Sequence, residues 1–217
     1  SKKVYLEAYT SVFESSREEL ETFFKKKIVE VDRNFVETKI KNIFEEAKKE
    51  DIAFLNIGDI YSATTHIDIY LRAKKEGIPI QIITGVSILT AIGITGLSLY
   101  NFGKIISIPF NNHQVKSPYE SFIMNKKNKL HTLFLLDLDP VNNKFLSISE
   151  ASEYLIRNGT EENTTAIGCA RIGFKNQKIK TGTLSSLQKE NLGKPPFCLI
   201  VPGKLHFIEE EALALWK

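Results

Sequence analysis

The segment between residues 52 and 87 alternates strand-like and helix-like patterns, with small polar residues after each strand-like run. One apolar run, Ile52–Ile57, leads directly into Gly58 and Asp59, and another, Ile78–Ile83, leads into a polar turn. The residues between the runs have apolar positions at helical spacing and end at a glycine, which predicts a helix. Ligands bind at the carboxyl ends of parallel strands, so the segment predicts a small-molecule site built from the two loops.

The remaining pattern predicts two α/β domains, with a boundary near residues 110–115. Residues 1–112 alternate strands and helices, which is typical of a mostly parallel sheet. Residues 113–217 place a helix at 149–157, with Ser149 as its N-cap, and the start of another at Glu209 among several strands, which indicates a mixed sheet. Further strands are predicted at 4–8, 28–31, 105–110, 132–138, 164–170, 177–183 and 196–201, and further helices at 17–26 and 36–49.

The composition argues against several functional classes. A net charge of +3 without a basic stripe does not favour direct nucleic-acid binding. No apolar run reaches the ~18 residues needed to cross a bilayer, and the chain begins without a signal-peptide pattern, so we expect a cytoplasmic protein with no membrane partner. Cys169 and Cys198 lie in separate apolar runs without CxxC spacing, which predicts buried free thiols. The four histidines are too dispersed to indicate a metal site.

Ordered motifs along the chain resemble one enzyme family. They are GD-x-x-x-ATTH at residues 58–66, LRAK-x-x-GI at 71–78, TGL-x-LY-x-FG at 95–103, SIPF at 107–110 and VPGKLH at 201–206. Together with VYLEAYTSV near the start, they are similar in order and register to the diphthine synthase (diphthine methyltransferase) family over nearly the whole chain. The resemblance implies a tetrapyrrole-methylase-like fold and a homodimer.

The resemblance also implies a reaction. The family moves methyl groups from S-adenosylmethionine, leaving S-adenosylhomocysteine, to the amino group of a modified histidine on elongation factor 2 in diphthamide biosynthesis. Because the methyl group of a sulfonium is already activated, such an enzyme mainly has to align donor and acceptor. A base or water must accept the proton of the amine. The sequence leaves open how many methyl groups are transferred and whether a methyl ester forms.

The resemblance places seven residues at cofactor-binding positions: Asp59, Ser62, Ser87, Ile88, Leu136, Ile172 and Phe197. Asp59 has the most support, because a carboxylate after a strand can accept hydrogen bonds from the cofactor or face its cationic amino acid moiety. The alternative for Asp59 is a cap for the next helix, for the serines it is turn formation, and for the apolar residues it is core packing. Two positions depart from the family: Ile60 follows Asp59 where many members have proline, and Phe197 stands where members often have histidine.

Two further residues are weak candidates for chemistry. His66 would be the proton acceptor, with a histidine at a helix start or in the core as the alternative. Arg171 would bind a carboxylate of the substrate, with a structural ion pair as the alternative. His131 and His206 lie beside apolar runs, and we expect both to be structural.

Two other functions stay open at this point. One is a tetrapyrrole (precorrin) methyltransferase, and the other is a non-catalytic partner-binding protein of the same fold. Members of the family carry a first strand and a Gly-rich turn before the segment that resembles VYLEAYTSV, so about one βα unit of the family layout is missing from residues 1–217. The ATTH, LRAK and TGL-x-LY-x-FG motifs favour diphthine synthase.

Overall fold

A computed structural model describes all residues from 1 to 217, and they form two compact units, Ser1–Leu89 and Thr90–Lys217. This division falls earlier in the chain than the boundary predicted near residues 110–115. The difference arises because the strand at Ile106–Ile108 pairs with the sheet of the second unit, whereas the alternation of strands and helices had placed it in the first.

The first unit contains a three-stranded sheet whose strands are all parallel. Its elements are β1 (Lys3–Glu7), α1 (Arg17–Phe24), β2 (Ile28–Val31), a π-helical turn at Phe35–Lys39, α2 (Lys41–Ala47), β3 (Ile52–Leu55) and α3 (Ile67–Lys75), and α4 (Ile88–Ala91) follows at the end of the unit. The strand order is β2-β1-β3, with Val4 opposite both Ile28 and Ala53. The parallel sheet that the sequence predicts is confirmed.

The segment Ile78–Ile83 does not form the predicted strand, and residues 78–87 have no regular secondary structure. β3 pairs with β1 along one edge, and no other strand within residues 1–217 lies against its second edge. An extended segment becomes a strand only where its backbone groups have partners. Ile78–Ile83 pairs with no strand, and Ile83 remains 81% exposed.

The second unit contains a five-stranded mixed sheet. Its elements are 3₁₀ turns at Ile92–Thr95 and Leu99–Asn101, β4 (Ile106–Ile108), α5 (Ser117–Lys127), β5 (Thr132–Leu136), β6 (Leu138–Asp139), β7 (Lys144–Phe145), α6 (Ile148–Arg157), β8 (Thr165–Ala170), β9 (Lys178–Thr183), α7 (Leu184–Leu187), β10 (Phe197–Val201) and α8 (Phe207–Ala214). The order is β4-β5-β10-β8-β9, in which only β4 and β5 are parallel. β6 and β7 form a separate ribbon. The mixed sheet is confirmed.

The helix starts follow from local hydrogen bonds. At α1, Ser16 accepts from the Glu19 N–H and the Glu19 carboxylate accepts from the Ser16 N–H, which is a capping box. At α6 the same arrangement joins Ser147 and Glu150. The prediction of Ser149 as the N-cap of α6 is therefore wrong: only Ser147 has a glutamate three residues later that can complete the box.

A buried histidine and a buried glutamate of the second unit are paired with each other and with backbone N–H groups. His131 accepts the Gly203 N–H at Nδ1 (2.9 Å), and its Nε2 lies 3.2 Å from a Glu209 carboxylate oxygen. Glu209 also accepts the N–H groups of Ser98 and His206, each at 2.8 Å. His206 is the N-cap of α8, so both histidines expected to be structural make structural contacts. No helix of the structure combines the length and the apolar composition that crossing a membrane requires.

Candidate cofactor site

In the first unit, the loop after β3 is organised by Asp59. Its Oδ1 atom accepts three hydrogen bonds, from the N–H groups of Tyr61 (2.9 Å) and Ser62 (3.0 Å) and from the Ser62 hydroxyl (2.9 Å). These donors keep the pKa of the Asp59 carboxyl below its usual value, so the group is anionic at neutral pH. His66 occupies the N-cap position of α3. Asp59 therefore makes its hydrogen bonds within its own loop and does not cap the next helix.

A second loop approaches this one very closely. A Cβ atom built on Gly85 would lie 2.1 Å from the carbonyl oxygen of Gly58, so only glycine fits at position 85. Gly58 itself has a φ of 88°, in the left-handed region that favours glycine. The loop after β3 and the loop after Ile78–Ile83 therefore meet, as the sequence pattern predicts, although the second is not preceded by a paired strand.

Ser87 and Ile88 lie at the end of the second loop. The Ser87 side chain is buried, and its hydroxyl accepts the N–H of Leu89 at 3.0 Å, at the start of α4. Ile88 is half-buried. The first unit thus brings Asp59 and Ser62 onto one loop, and Ser87 and Ile88 onto the end of the loop that touches it.

The three candidates of the second unit lie at or just beyond the ends of neighbouring strands, on the same side of the five-stranded sheet. Leu136 is the last residue of β5, Phe197 is the first of β10, and Ile172 comes two residues after β8. β10 runs antiparallel to both neighbours, and Phe197 pairs with Ala170 at the end of β8. The Leu136 side chain is buried in the core of this unit, and the half-buried Phe197 side chain packs against that core.

The two weak candidates for chemistry are both held by protein contacts. His66 is 7% exposed, and its Nε2 lies 3.9 Å from a carboxylate oxygen of Glu7. Arg171, with a left-handed φ of 55°, donates from Nε to Asn176 (2.7 Å) and from Nη1 to the Pro195 carbonyl (3.1 Å). Its guanidinium also lies over the ring of Phe174, so the contacts of Arg171 are with neutral groups and not with a carboxylate.

Sequence patterns do not single out two residues that the structure brings to this region. Glu7, at the end of β1, is fully buried. Asn56, directly after β3, has a buried side-chain oxygen that accepts no hydrogen bond from the protein. Burial of a polar residue depends on which elements pack around it. The only signal in the sequence is that each lies at the end of an apolar strand.

Comparisons with known proteins agree with this architecture. The family model for Tetrapyrrole (Corrin/Porphyrin) Methylases matches residues 2–188. A solved structure described as diphthine synthase superposes with a TM-score of 0.91 at 38% identity, over 99% of this chain and 84% of that one. The fold is therefore that of a methyltransferase, and the chain belongs to the tetrapyrrole methylase family and, within it, to the diphthine synthases.

Relatives of known function support this placement across distant organisms. The diphthine methyl ester synthase of Saccharomyces cerevisiae is 39% identical over 97% of this chain and 79% of its own length. The diphthine synthase of Methanocaldococcus jannaschii is 40% identical over 98% of this chain and 88% of its own length. These relatives favour diphthine synthase over the precorrin methyltransferase and the non-catalytic alternative.

Proposed function

We propose that this methyltransferase takes its methyl group from S-adenosylmethionine and transfers it to the amino group of the modified histidine of elongation factor 2 in diphthamide biosynthesis. The family and the relatives support the reaction. The observation that carries the cofactor assignment is the contact between the two loops of the first unit, where an anionic Asp59 lies beside the close approach of Gly58 and Gly85.

The residues of the first unit fit such a cofactor. The Oδ1 atom of Asp59 holds the loop, which leaves Oδ2 to accept hydrogen bonds from the amino group or ribose of the cofactor. The buried oxygen of Asn56 is an acceptor that the protein does not use. Ser62, Ser87 and Ile88 are proposed as further contacts through their positions on the two loops.

Three residues of the second unit are proposed as cofactor contacts from the family resemblance alone. Leu136, Ile172 and Phe197 would act through backbone groups, because two of the three side chains pack in the core. A backbone or stacking role at position 197 is compatible with phenylalanine, whereas a role that needs imidazole is not.

The chemistry asks for alignment more than for a strong base. S-adenosylmethionine supplies an activated methyl group, so the protein has to orient the acceptor amine and let water or a side chain take its proton. Burial lowers the pKa of His66, which keeps the ring neutral and able to accept a proton. His66 and Arg171 stay weak candidates for proton transfer and for binding the substrate.

The proposal extends to partners and location. Elongation factor 2 would be the protein substrate, in the cytoplasm, where the free and buried thiols of Cys169 and Cys198 are compatible with a reducing environment. We also propose a homodimer, because Ile94, Leu99 and Tyr100 expose apolar surface that a second copy would cover. Light scattering that gives a mass near 24.6 kDa at micromolar concentration would contradict the dimer.

The decisive experiment combines methyl transfer with calorimetry. We expect the wild type to bind S-adenosylhomocysteine and to methylate elongation factor 2 that carries the unmethylated histidine derivative. Asp59→Ala should weaken binding by roughly ten- to a hundredfold, since a hydrogen bond to a charged group contributes about 1.5–3 kcal/mol. Asp59→Asn separates charge from loop geometry, because its amide oxygen can still accept the loop N–H groups.

Asp68→Ala is the matched control. Asp68 is an exposed carboxylate of the same unit that pairs with Arg72 on α3, and its loss should leave affinity unchanged. Full activity in Asp59→Ala would remove Asp59 from the site. A wild type that neither binds the cofactor product nor transfers methyl groups would refute the proposed function.

A further inference from the structure

The first unit buries a carboxylate and an imidazole side by side. Glu7 ends β1 and is 0% exposed, and His66 precedes α3 and is 7% exposed. The Glu7 Oε2 and His66 Nε2 atoms are 3.9 Å apart. Groups that can ionise are rarely buried unless they are paired, because removing a charge from water costs several kcal/mol.

Glu7 closes the turn that follows β1. Its Oε1 atom accepts the N–H groups of Tyr9 (2.8 Å) and Thr10 (2.7 Å), and its Oε2 atom accepts the Thr10 hydroxyl (2.7 Å). Three donors satisfy the buried carboxylate. The same carboxylate faces His66, so it joins the turn after β1 to a residue from a different loop.

His66 completes the loop that begins at Asp59. Its N–H donates to the Thr64 hydroxyl (3.3 Å), which donates to the Ile60 carbonyl (2.7 Å). The rings of Tyr9 and Phe54 pack edge-on against the imidazole. Burial lowers the pKa of His66, although the Glu7 carboxylate and the Ile60 carbonyl oppose this, and Nδ1 is buried without a hydrogen bond of normal geometry.

We propose that Glu7 and His66 are a pair of positioning residues for the cofactor site. The pair fixes the loop of Asp59 and Ser62 against the turn after β1, and so sets cofactor affinity without touching the cofactor. The inference rests on the proposed function. If the pair served stability alone, removing either partner would lower the melting temperature and leave the affinity for S-adenosylhomocysteine unchanged, since breaking a buried pair is destabilising.

The test uses His66→Phe and Glu7→Gln in the full chain. His66→Phe keeps an aromatic ring against Tyr9 and Phe54 and removes both nitrogens, and Glu7→Gln removes the charge at constant shape. We expect both variants to keep the wild-type melting temperature within a few degrees and to bind S-adenosylhomocysteine on the order of tenfold more weakly. Amide exchange at Tyr61 and Ser62 should become faster.

Glu46→Gln is the matched control. Glu46 is a carboxylate of the same unit that accepts from Lys3 and Tyr5, both at 2.6 Å, away from the loop of Asp59. It should change neither affinity nor exchange at Tyr61 and Ser62. If His66 were instead the proton acceptor, His66→Phe would show the opposite pattern. The turnover number would fall, and the affinity for S-adenosylhomocysteine would stay unchanged.

Three results would overturn the pair as a positioning device: wild-type affinity and exchange in both variants, the pattern of a proton acceptor, or loss of the fold in both. Failure of the proposed function is a separate outcome. In that case the wild type itself does not bind S-adenosylhomocysteine, and the exchange at Tyr61 and Ser62 still reports whether the pair holds the loop.

Discussion

The two sheets of the molecule differ in how completely they are covered. In the second unit, Leu133, Phe134 and Ile167 have no exposed surface, whereas all four residues of β3 in the first unit are only half-buried. Both sheets are built from similar apolar runs. The difference lies in pairing: β8 and β10 have strand neighbours on both edges, and β3 has one. A strand-like sequence therefore becomes a buried strand only where a second backbone completes it.

The two units also distribute their buried residues differently. The second unit places its largest buried side chains around one sheet and helices α5 and α6. The first unit divides its buried residues between the two faces of its sheet, and it buries Glu7 and His66 near the loops of the candidate site. The second unit also buries a carboxylate beside an imidazole, Glu209 and His131, 3.2 Å apart.

The largest expected difference is in core substitutions. Phe134→Ala removes a ring of the second unit that has no exposed surface, and it should destabilise that unit by about 3–5 kcal/mol. Ile83→Ala, at an exposed position in the first unit, should change stability by less than ~0.5 kcal/mol. Urea unfolding followed by the fluorescence of Trp216, the single tryptophan, reports the second unit, and circular dichroism reports both. Equal losses in the two variants would remove the contrast.

A smaller effect is expected where the two loops meet. Gly85→Ala forces a Cβ atom against the Gly58 carbonyl, and overpacking of this kind costs about 1–3 kcal/mol. We expect weaker binding of S-adenosylhomocysteine by calorimetry and a lower melting temperature of the first unit. Gly93→Ala is the control, because its nearest neighbours, atoms of Leu99, lie at 3.6 Å, an ordinary contact. Unchanged binding in Gly85→Ala would separate the loop contact from the site.

The smallest effect concerns acid stability of the second unit. Burial disfavours the Glu209 carboxylate, but hydrogen bonds from His206, Ser98 and His131 outweigh it and lower its pKa from 4.5 to about 2. A lowered pKa in the folded state stabilises the fold above the unfolded value of 4.5, and this contribution is lost as the pH falls toward 2. Between these values the wild type should lose more of its free energy of unfolding than Glu209→Gln does in urea titrations. If the free energy of unfolding fell equally with pH in both proteins, this assignment would be contradicted.

The sequence predicts those features that depend on local signals. The strand Ile28–Val31, the helix that begins at Arg17, and the loops after Gly58 and before Ile88 are all local patterns, and the structure contains each of them. The parallel and mixed sheets follow from the order of these elements. Asp59 and Ser62 were identified from their place after a strand together with the family resemblance, and their contact within one loop agrees with that place.

Features that depend on distant neighbours were not predictable in the same way. Ile78–Ile83 has strand composition but no partner, and the strand at Ile106–Ile108 joins the second sheet because its partner is β5. The predicted helix at 36–49 is interrupted near Ile40, where a π-helical turn gives way to α2. Burial of Glu7 and Asn56 arises from packing, and no spacing in the chain reports it.

The two cysteines, the only ones in the chain, face each other across β8 and β10 and have almost no exposed surface. The pKa of the Cys169 thiol lies well above its usual value. The larger cause is the hydrogen bond with Cys198, and the next is burial. Alkylating reagents attack the thiolate. In the folded sheet the Cys169 thiol stays protonated and burial keeps the reagent away from it. The rate of thiol labelling therefore measures how often this sheet opens, in the wild-type protein and without any substitution.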